Sequence, residues 1–399
     1  MDIHRYDKKY EYTLNGLNRA KISSRNKELI LKFHNDLILE NLSKPRLINY
    51  LNKMKLICIR LGKDLDKATI EDLKKVVGSI QQSDYSPWTK QTYKIILRKF
   101  YRWFKKPELI DWVKTGFSKS EKKLPSEGDL LTEKEVLKLI KCADHPRDKA
   151  FISSLWESGA RISELGNLCI KNIIFDKIGT VLTVKGKTGS RKIRLITSTP
   201  YLSTWIQNHP HNDGESPLWV NIGSTKHNQV MRYGGMTKML KDVFIKSGIK
   251  KRSNPHIFRH SRATFMAHHL TEFQMNQYFG WIQGSEMPST YVHMSGKNID
   301  NAILAMNGLS SKESKENPSK PSICPRCDTI NPVDSKHCCK CGGILDVKYA
   351  MELEEKIIKE QQRRSKADDI MSMLVKDDEV QALLREKIKE LEIKEPGKL

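Results

Sequence analysis

Four patches of this 399-residue chain hold residue types that phosphoryl transfer requires. They are Arg161 with Glu164, Lys187 in a glycine-bracketed turn, His256 with Arg259 and His260, and Tyr291 beyond Gly280 and Trp281. Two guanidinium groups hold one phosphodiester by forked hydrogen bonds and offset charge in a pentacoordinate transition state, the task metal ions perform elsewhere. Such a site needs no catalytic metal, and its nucleophile has to come from the protein. A tyrosine with an ordinary pKa near 10 serves once its proton is taken or nearby cations favour the phenolate. Tyr291 is the candidate; Tyr278, set among Phe273, Met275 and Phe279, reads as core. A phosphotyrosyl link conserves the energy of the broken bond, so a strand can be rejoined to a new 5′-hydroxyl without ATP.

These residues need elements to position them. Pro255 after Ser253-Asn254 suits a helix N-terminus, so His256 and Arg259 share one face where the helix dipole favours an anion. Helical spacing runs over Trp156–Cys169, which carries Arg161 and Glu164, and again over Gly235–Lys246, Pro255–His269 and Glu272–Phe279. Gly179–Val184 and Lys192–Ile196 read as two strands of a hairpin with a basic tip, Lys185 to Arg191. Gly186 and Gly189 bracket Lys187-Thr188, which puts Lys187 at the tip, where its flexible stem reaches a leaving oxygen. Lys185, at the strand end, fits a flanking phosphate and is the rival for that role.

Ala160-Arg161-Ile162-Ser163-Glu164-Leu165, Gly186-Lys187-Thr188-Gly189, His256-Ile257-Phe258-Arg259-His260, Gly280-Trp281 and Ser289-Thr290-Tyr291 resemble, in that order, the active-site boxes of the tyrosine recombinases. That family includes the phage integrases and Xer recombinases, and the chain looks most like integrases of archaeal mobile elements. The resemblance covers residues 130–308. It implies that Arg161 and Arg259 bind the scissile phosphate, that Lys187 protonates the leaving 5′-oxygen and that His256 shuttles a proton. Trp281 takes a position that is His or Trp in the family, Glu164 braces Arg161, and Tyr291 attacks to give a 3′-phosphotyrosine. It further implies double-stranded DNA as substrate, a homo-tetramer on two DNA sites, exchange through a four-way junction and no catalytic cofactor.

Composition agrees with a polyanionic partner. Seventy Lys and Arg against 47 Asp and Glu leave +23. The charge is graded: +14 over residues 1–123, +11 over 124–345 and −2 over 346–399. Residues 1–117 lack period-2 stretches and show helical spacing (Leu29, Ile30, Phe33, Leu37; Ile48, Leu51, Met54, Ile57, Cys58), which predicts a small helical domain; the resemblance implies that it is the family's all-α core-binding (SAM-like) domain. Its DNA-facing candidates are Lys90, Lys94, Arg98 and Arg102, with Lys185 joining from the hairpin; the interleaved aromatics Tyr93, Phe100, Tyr101 and Trp103 read as core. A polar linker over 118–129 precedes an α+β tyrosine-recombinase catalytic domain over 130–308, whose first helix is announced by the capping pair Thr132 and Glu135.

A tether over 309–322 leads to Cys324, Cys327, Cys338 and Cys341 in Cys-x2-Cys-x10-Cys-x2-Cys spacing. This resembles a zinc ribbon over 323–345 holding one structural zinc, with His337 and Cys339 as substitute ligands. Apolar residues spaced by three and four over 346–399 predict one or two amphipathic helices for a protein partner or self-association. No apolar run approaches the roughly 18 residues of a membrane span, and Met1–Tyr6 is polar, so a cytoplasmic place and no membrane partner are expected. The competing readings are a catalytically inactive recombinase-fold DNA-binding regulator and a zinc-ribbon adaptor.

Overall fold

The computed structural model describes residues 2–116, 126–186, 189–223, 227–294, 307, 321–333, 335–376 and 378–390. A first lobe holds five helices, α1 (Tyr6–Asn18), α2 (Ser24–Leu39), α3 (Lys44–Leu61), α4 (Ile70–Gln82) and α5 (Pro87–Trp103). Side chains satisfy otherwise unpaired N–H groups at several of their starts: Ser23 for α2, Thr69 with Asp72 for α4, and Ser86 just before Pro87 for α5. Leu29, Ile30, Phe33 and Leu37 of α2 meet Leu51, Met54, Ile57 and Cys58 of α3 in the core; Leu47, one residue before the expected Ile48, fills the first position. Tyr93, Phe100 and Tyr101 are buried there too, with the rings of Phe33 and Phe100 edge to face at 5.3 Å. Tyr93, Phe100 and Tyr101 therefore pack inward while Trp88 is exposed, and Lys90, Lys94, Arg98 and Arg102, four residues apart, form a stripe that is partly or fully exposed.

A second lobe contains α6 (Glu133–Cys142), α7 (Pro146–Ser158), α8 (Ile162–Gly166), β1 (Ile173–Asp176), β2 (Gly179–Gly186), β3 (Gly189–Leu195), α9 (Thr199–Gln207), α10 (Tyr233–Ser247), α11 (Pro255–Met266), α12 (Glu272–Phe279) and α13 (Met287–Met294). Thr132 and Glu135 cap α6 reciprocally, as their spacing predicts. The antiparallel sheet runs β1-β2-β3, with Ile173 opposite Leu182 and Val184 opposite Arg191. Leu182, Val184, Ile193 and Leu195 face a core with Phe151, Leu155, Trp205, Trp219 and Phe258. The buried Glu157 of α7 ties helix to sheet: its carboxylate accepts the N–H groups of Ile196 (2.7 Å), Thr197 (3.1 Å) and Ser198 (2.7 Å) and the Ser198 hydroxyl (2.7 Å).

Three features depart from the sequence expectation. The helical stretch over Trp156–Cys169 is broken: α7 ends at Ser158, Gly159 takes the left-handed φ of 54°, and α8 starts after an extended Arg161. The hairpin pairs further, to Gly186 opposite Gly189, so the tip shortens to residues 187 and 188. The strand β1 was not foreseen, because Ile174 and Phe175 are exposed and the segment shows no alternation.

Beyond these lobes, β4 (Ser322–Ile323) pairs with β5 (Ile330–Asn331), and two helices follow, Val347–Lys376 and Asp378–Glu390. Among the described residues no helix is long and apolar enough to cross a membrane.

The break at Gly159 gives a first prediction. A Cβ there would lie 2.5 Å from Phe279 Cε1, at a positive φ that L side chains rarely adopt. Gly159→Ala should lower stability by more than about 1 kcal/mol in denaturant unfolding; an unchanged midpoint would show that the turn does not constrain α7 and α12.

Candidate active site

The left-handed turn at Gly159 points the next residues back toward the sheet and leaves Arg161 (φ −66°, ψ 144°) as the cap of α8. The Arg161 N–H donates to Glu164 Oε2 (2.9 Å) and its Nη1 to Oε1 (2.8 Å). Glu164 is 3% exposed, and Arg191 of β3 grips it from the other side, Nη1 to Oε1 (3.1 Å) and Nη2 to Oε2 (2.8 Å). Burial would raise the Glu164 pKa, but hydrogen bonds and charge from Arg191, with Arg161 adding to them, bring it down to about 2. A Cβ on Gly186 would run into Glu164 Oε1, so glycine is needed where the hairpin passes this carboxylate. Arg161 is thereby oriented while its side chain stays 29% exposed.

Asn254 caps α11 through the Ile257 N–H (2.9 Å), with Pro255 in the first turn. This orients Arg259, 6% exposed, whose Nη1 donates to the Gly159 carbonyl (2.9 Å) and Nη2 to the Phe279 carbonyl (2.7 Å). Its guanidinium carbon lies 5.2 Å and 5.4 Å from the ring centres of Phe279 and Trp281. Burial, then the charge of Arg161, lowers its pKa to about 10, so it remains a cation at neutral pH.

Trp281 stacks on Tyr291, ring centres 5.5 Å apart and planes 2° from parallel. Tyr291 is 1% exposed, and burial pushes its phenol to about 12 against the opposing pull of Arg259. Its hydroxyl is 2.7 Å from Nδ1 of His260. Burial, His256 and Arg259 depress His260 to about 4, so its imidazole is neutral and able to accept the phenolic proton. His256 sits one turn earlier, its ring 6.4 Å from that of His260, and burial followed by the charges of Arg259 and Arg161 lowers its pKa.

Of the residues singled out by sequence, the structure brings together Arg161, Glu164, His256, Arg259, Trp281 and Tyr291. Lys187 lies outside the described residues. Lys185 is exposed, opposite Ser190. Tyr278 is engaged elsewhere: its hydroxyl donates to the Glu157 carbonyl (2.6 Å) and its own carbonyl accepts from Arg191 Nε (2.9 Å). Two contributors had no role assigned from sequence. His260, rather than His256, makes the hydrogen bond to Tyr291, and its spacing of four from His256 was the available signal. Arg191 depends on the β2–β3 register, which no local pattern announces.

The α5 stripe belongs to the first lobe. Lys90 Nζ donates to the Gln81 carbonyl (2.8 Å), Arg98 Nη1 to Thr115 Oγ1 (3.3 Å), and Arg102 pairs with Asp111 at 3.5 Å. Cys324, Cys327, Cys338 and Cys341 place their sulfurs within 4.8 Å of one another, with Cys324–Cys341 and Cys327–Cys338 each at 3.6 Å. A tetrahedral ion with Zn–S bonds of about 2.3 Å needs sulfurs about 3.8 Å apart, so the set fits such an ion. The substitutes stand apart from it: Cys339 is exposed, and the His337 ring packs on Tyr349.

The phage integrase family model matches residues 129–298, the span that contains the site. The matched span is less than half of the chain. Over 182 residues the chain is 32% identical to the tyrosine recombinase XerA of Pyrococcus furiosus, a match covering 45% of this chain and 62% of that one. It is 26% identical over 291 residues to XerA of Pyrococcus horikoshii, covering 70% and 93% respectively. Two solved structures share the fold at 16% identity and a TM-score of 0.54. One is the XerH site-specific recombinase bound to a palindromic difH substrate, covering 76% of this chain and 96% of that one. The other is a lambda integrase dimer bound to a COC′ core site, covering 68% and 78%.

The Glu164 clamp yields a prediction with a definite sign. A carboxylate whose pKa is depressed by folding stabilises the protein above its unfolded value of about 4.5, and that contribution is lost as pH falls toward about 2. Glu164→Gln should cost about 3 kcal/mol at pH 7, and the deficit should shrink through this acid window. Equal deficits at pH 7 and pH 3 in urea titrations would contradict the clamp.

Proposed function

We propose that the chain is a tyrosine-type site-specific DNA recombinase that cuts and rejoins strands through a 3′-phosphotyrosine at Tyr291. The observation that carries this reading is the Tyr291 hydroxyl set against neutral His260, with the Arg259 guanidinium over the adjoining Trp281 ring. Arg161 and Arg259 grip the scissile phosphate. Tyr291 Oη forms the bond to phosphorus while its proton passes to His260 Nδ1, and the bond from phosphorus to the 5′-oxygen breaks. Lys187 gives that oxygen a proton, and His256, at the start of α11, steadies the phosphate. Rejoining reverses each transfer: a 5′-hydroxyl attacks phosphorus, and His260 returns its proton to the phenol.

The remaining assignments are of the same standing. The first lobe serves as the core-binding domain with Lys90, Lys94, Arg98 and Arg102 on phosphates, and Lys185 contacts a flanking phosphate. The four cysteines hold one structural zinc, which leaves no open position for chemistry. A tetramer on two sites is supported by the lambda integrase structure of like fold, a tetramer bound to a Holliday junction (TM-score 0.51). The helices at 347–390 carry exposed Met371, Met373, Leu383 and Ile388, surface suited to a protein partner.

A nicked DNA site that traps the intermediate should give a denaturation-resistant adduct with the unmodified protein and Tyr278→Phe, and none with Tyr291→Phe. An adduct mapping to Tyr278 would overturn the assignment. His260→Ala should slow cleavage roughly 10²–10⁴-fold while DNA binding stays near normal. Because His260 titrates near 4, its part in cleavage should persist well below the pH of 6.5 at which an ordinary histidine protonates; a rate falling with an apparent pKa of 6.5 in the unmodified protein and not in His260→Ala would exclude it as the neutral base. Metal analysis should find about one zinc per chain, lost when Cys324 and Cys341 are replaced by serine.

A further inference from the structure

Residues 2–4 leave the first lobe and lodge in the second. Ile3 is 1% exposed and joins the core that includes Leu165, Met236 and Leu240. A Cβ on Gly166 would lie 2.7 Å from Ile3 Cδ1 and 2.9 Å from Met236 Cε, so Ile3 occupies a socket that glycine at 166 keeps open. The backbone is fastened on both sides. The Ile3 N–H donates to Asn167 Oδ1 (3.0 Å), its carbonyl accepts from the Tyr233 N–H (3.3 Å), and the Asp2 carbonyl accepts from Arg232 Nη1 (2.9 Å). The His4 ring lies 4.7 Å from that of Tyr233. The Asp2 carboxylate then turns the chain into α1 by accepting the N–H groups of His4 (2.9 Å) and Tyr6 (2.7 Å).

The second crossing between the lobes is the covalent one after Val113. It lands at Leu130 and Leu131, where Lys251 Nζ donates to the Leu130 carbonyl (2.6 Å) and Ser261 Oγ accepts the Leu131 N–H (2.8 Å). Those landing points, residue 251 and α11, differ from the ends of α8 and α10 that receive Ile3. Among the described residues the lobes are thus joined by contacts at Asp2–His4 that can open, in addition to the continuous chain.

We propose that Asp2–His4 is a clasp that closes the two lobes into a ring around duplex DNA, and that DNA enters when Ile3 leaves its socket. The proposal rests on the recombinase reading, which places the duplex between the lobes. Gly166 stands two residues beyond Glu164, so the filled socket also supports the segment that carries Arg161, and closure is linked to the setting of that arginine.

The test is topological. In a His4→Cys, Tyr233→Cys protein, a short bifunctional thiol reagent locks the clasp, with mass spectrometry confirming the link and the unsubstituted protein reporting on its own cysteines. Locked after loading, the protein should survive on a closed circular DNA a salt wash that weakens phosphate contacts roughly 10³-fold, and should slide off the same DNA once it is linearised. Locked before loading, it should lose access to the circle. As an independent arm, Ile3→Asp should dissociate from circular DNA faster than the unmodified protein. Equal loss from circle and line after locking, or normal loading of the pre-locked protein on circles, would sink the ring and leave the recombinase reading intact. If the unlocked protein held neither DNA, the recombinase reading and the ring would fall together.

Discussion

The site depends on one buried carboxylate. Glu164 is gripped by Arg161 from its own short helix and by Arg191 from the sheet, and neither element would hold its arginine in place alone. A carboxylate taken out of water without such partners would be costly. With them it becomes a fixed anion that aligns one exposed guanidinium, while Arg191 uses its Nε to pin the end of α12 through the Tyr278 carbonyl. The sheet, α8 and α12 are thereby referred to a common point.

Around that point the electrostatics divide the labour. Arg259 carries its charge in a nearly dry setting, held by two backbone carbonyls and flanked by two aromatic rings. Burial, then His256 and this same cation, keep His260 unprotonated beside a phenol that burial keeps protonated. The phenol and the imidazole therefore face each other across 2.7 Å.

Much of this was legible from sequence because the residue types are unusual and their neighbours are caps. Thr132 with Glu135 and Asn254-Pro255 announce helix starts through chemistry local to a few residues, and the structure has both. The helical lobe was legible through the three-and-four spacing on α2 and α3, which depends only on which face is buried. What stayed hidden was set by tertiary contact. Apolar spacing continues across Trp156–Cys169, but the helix stops because Gly159 turns against Phe279, and the role of Arg161 follows from that stop. Arg191 reaches Glu164 through strand register, and His260 acquires its meaning when α13 lays Tyr291 beside it. Ile3 offered no signal at all, since one apolar residue in a polar start has no period.

The stack of Phe279, Trp281 and Tyr291, with ring centres 4.8 Å and 5.5 Å apart, has a bearing on the lifetime of any covalent link made there. An aryl phosphate ester is open to hydrolysis wherever a water molecule can line up behind phosphorus. Tyr291, 1% exposed as a residue, stacked on Trp281 and facing an imidazole, offers the solvent few such approaches. Were such a linkage formed, it would be shielded from water for as long as it lasted.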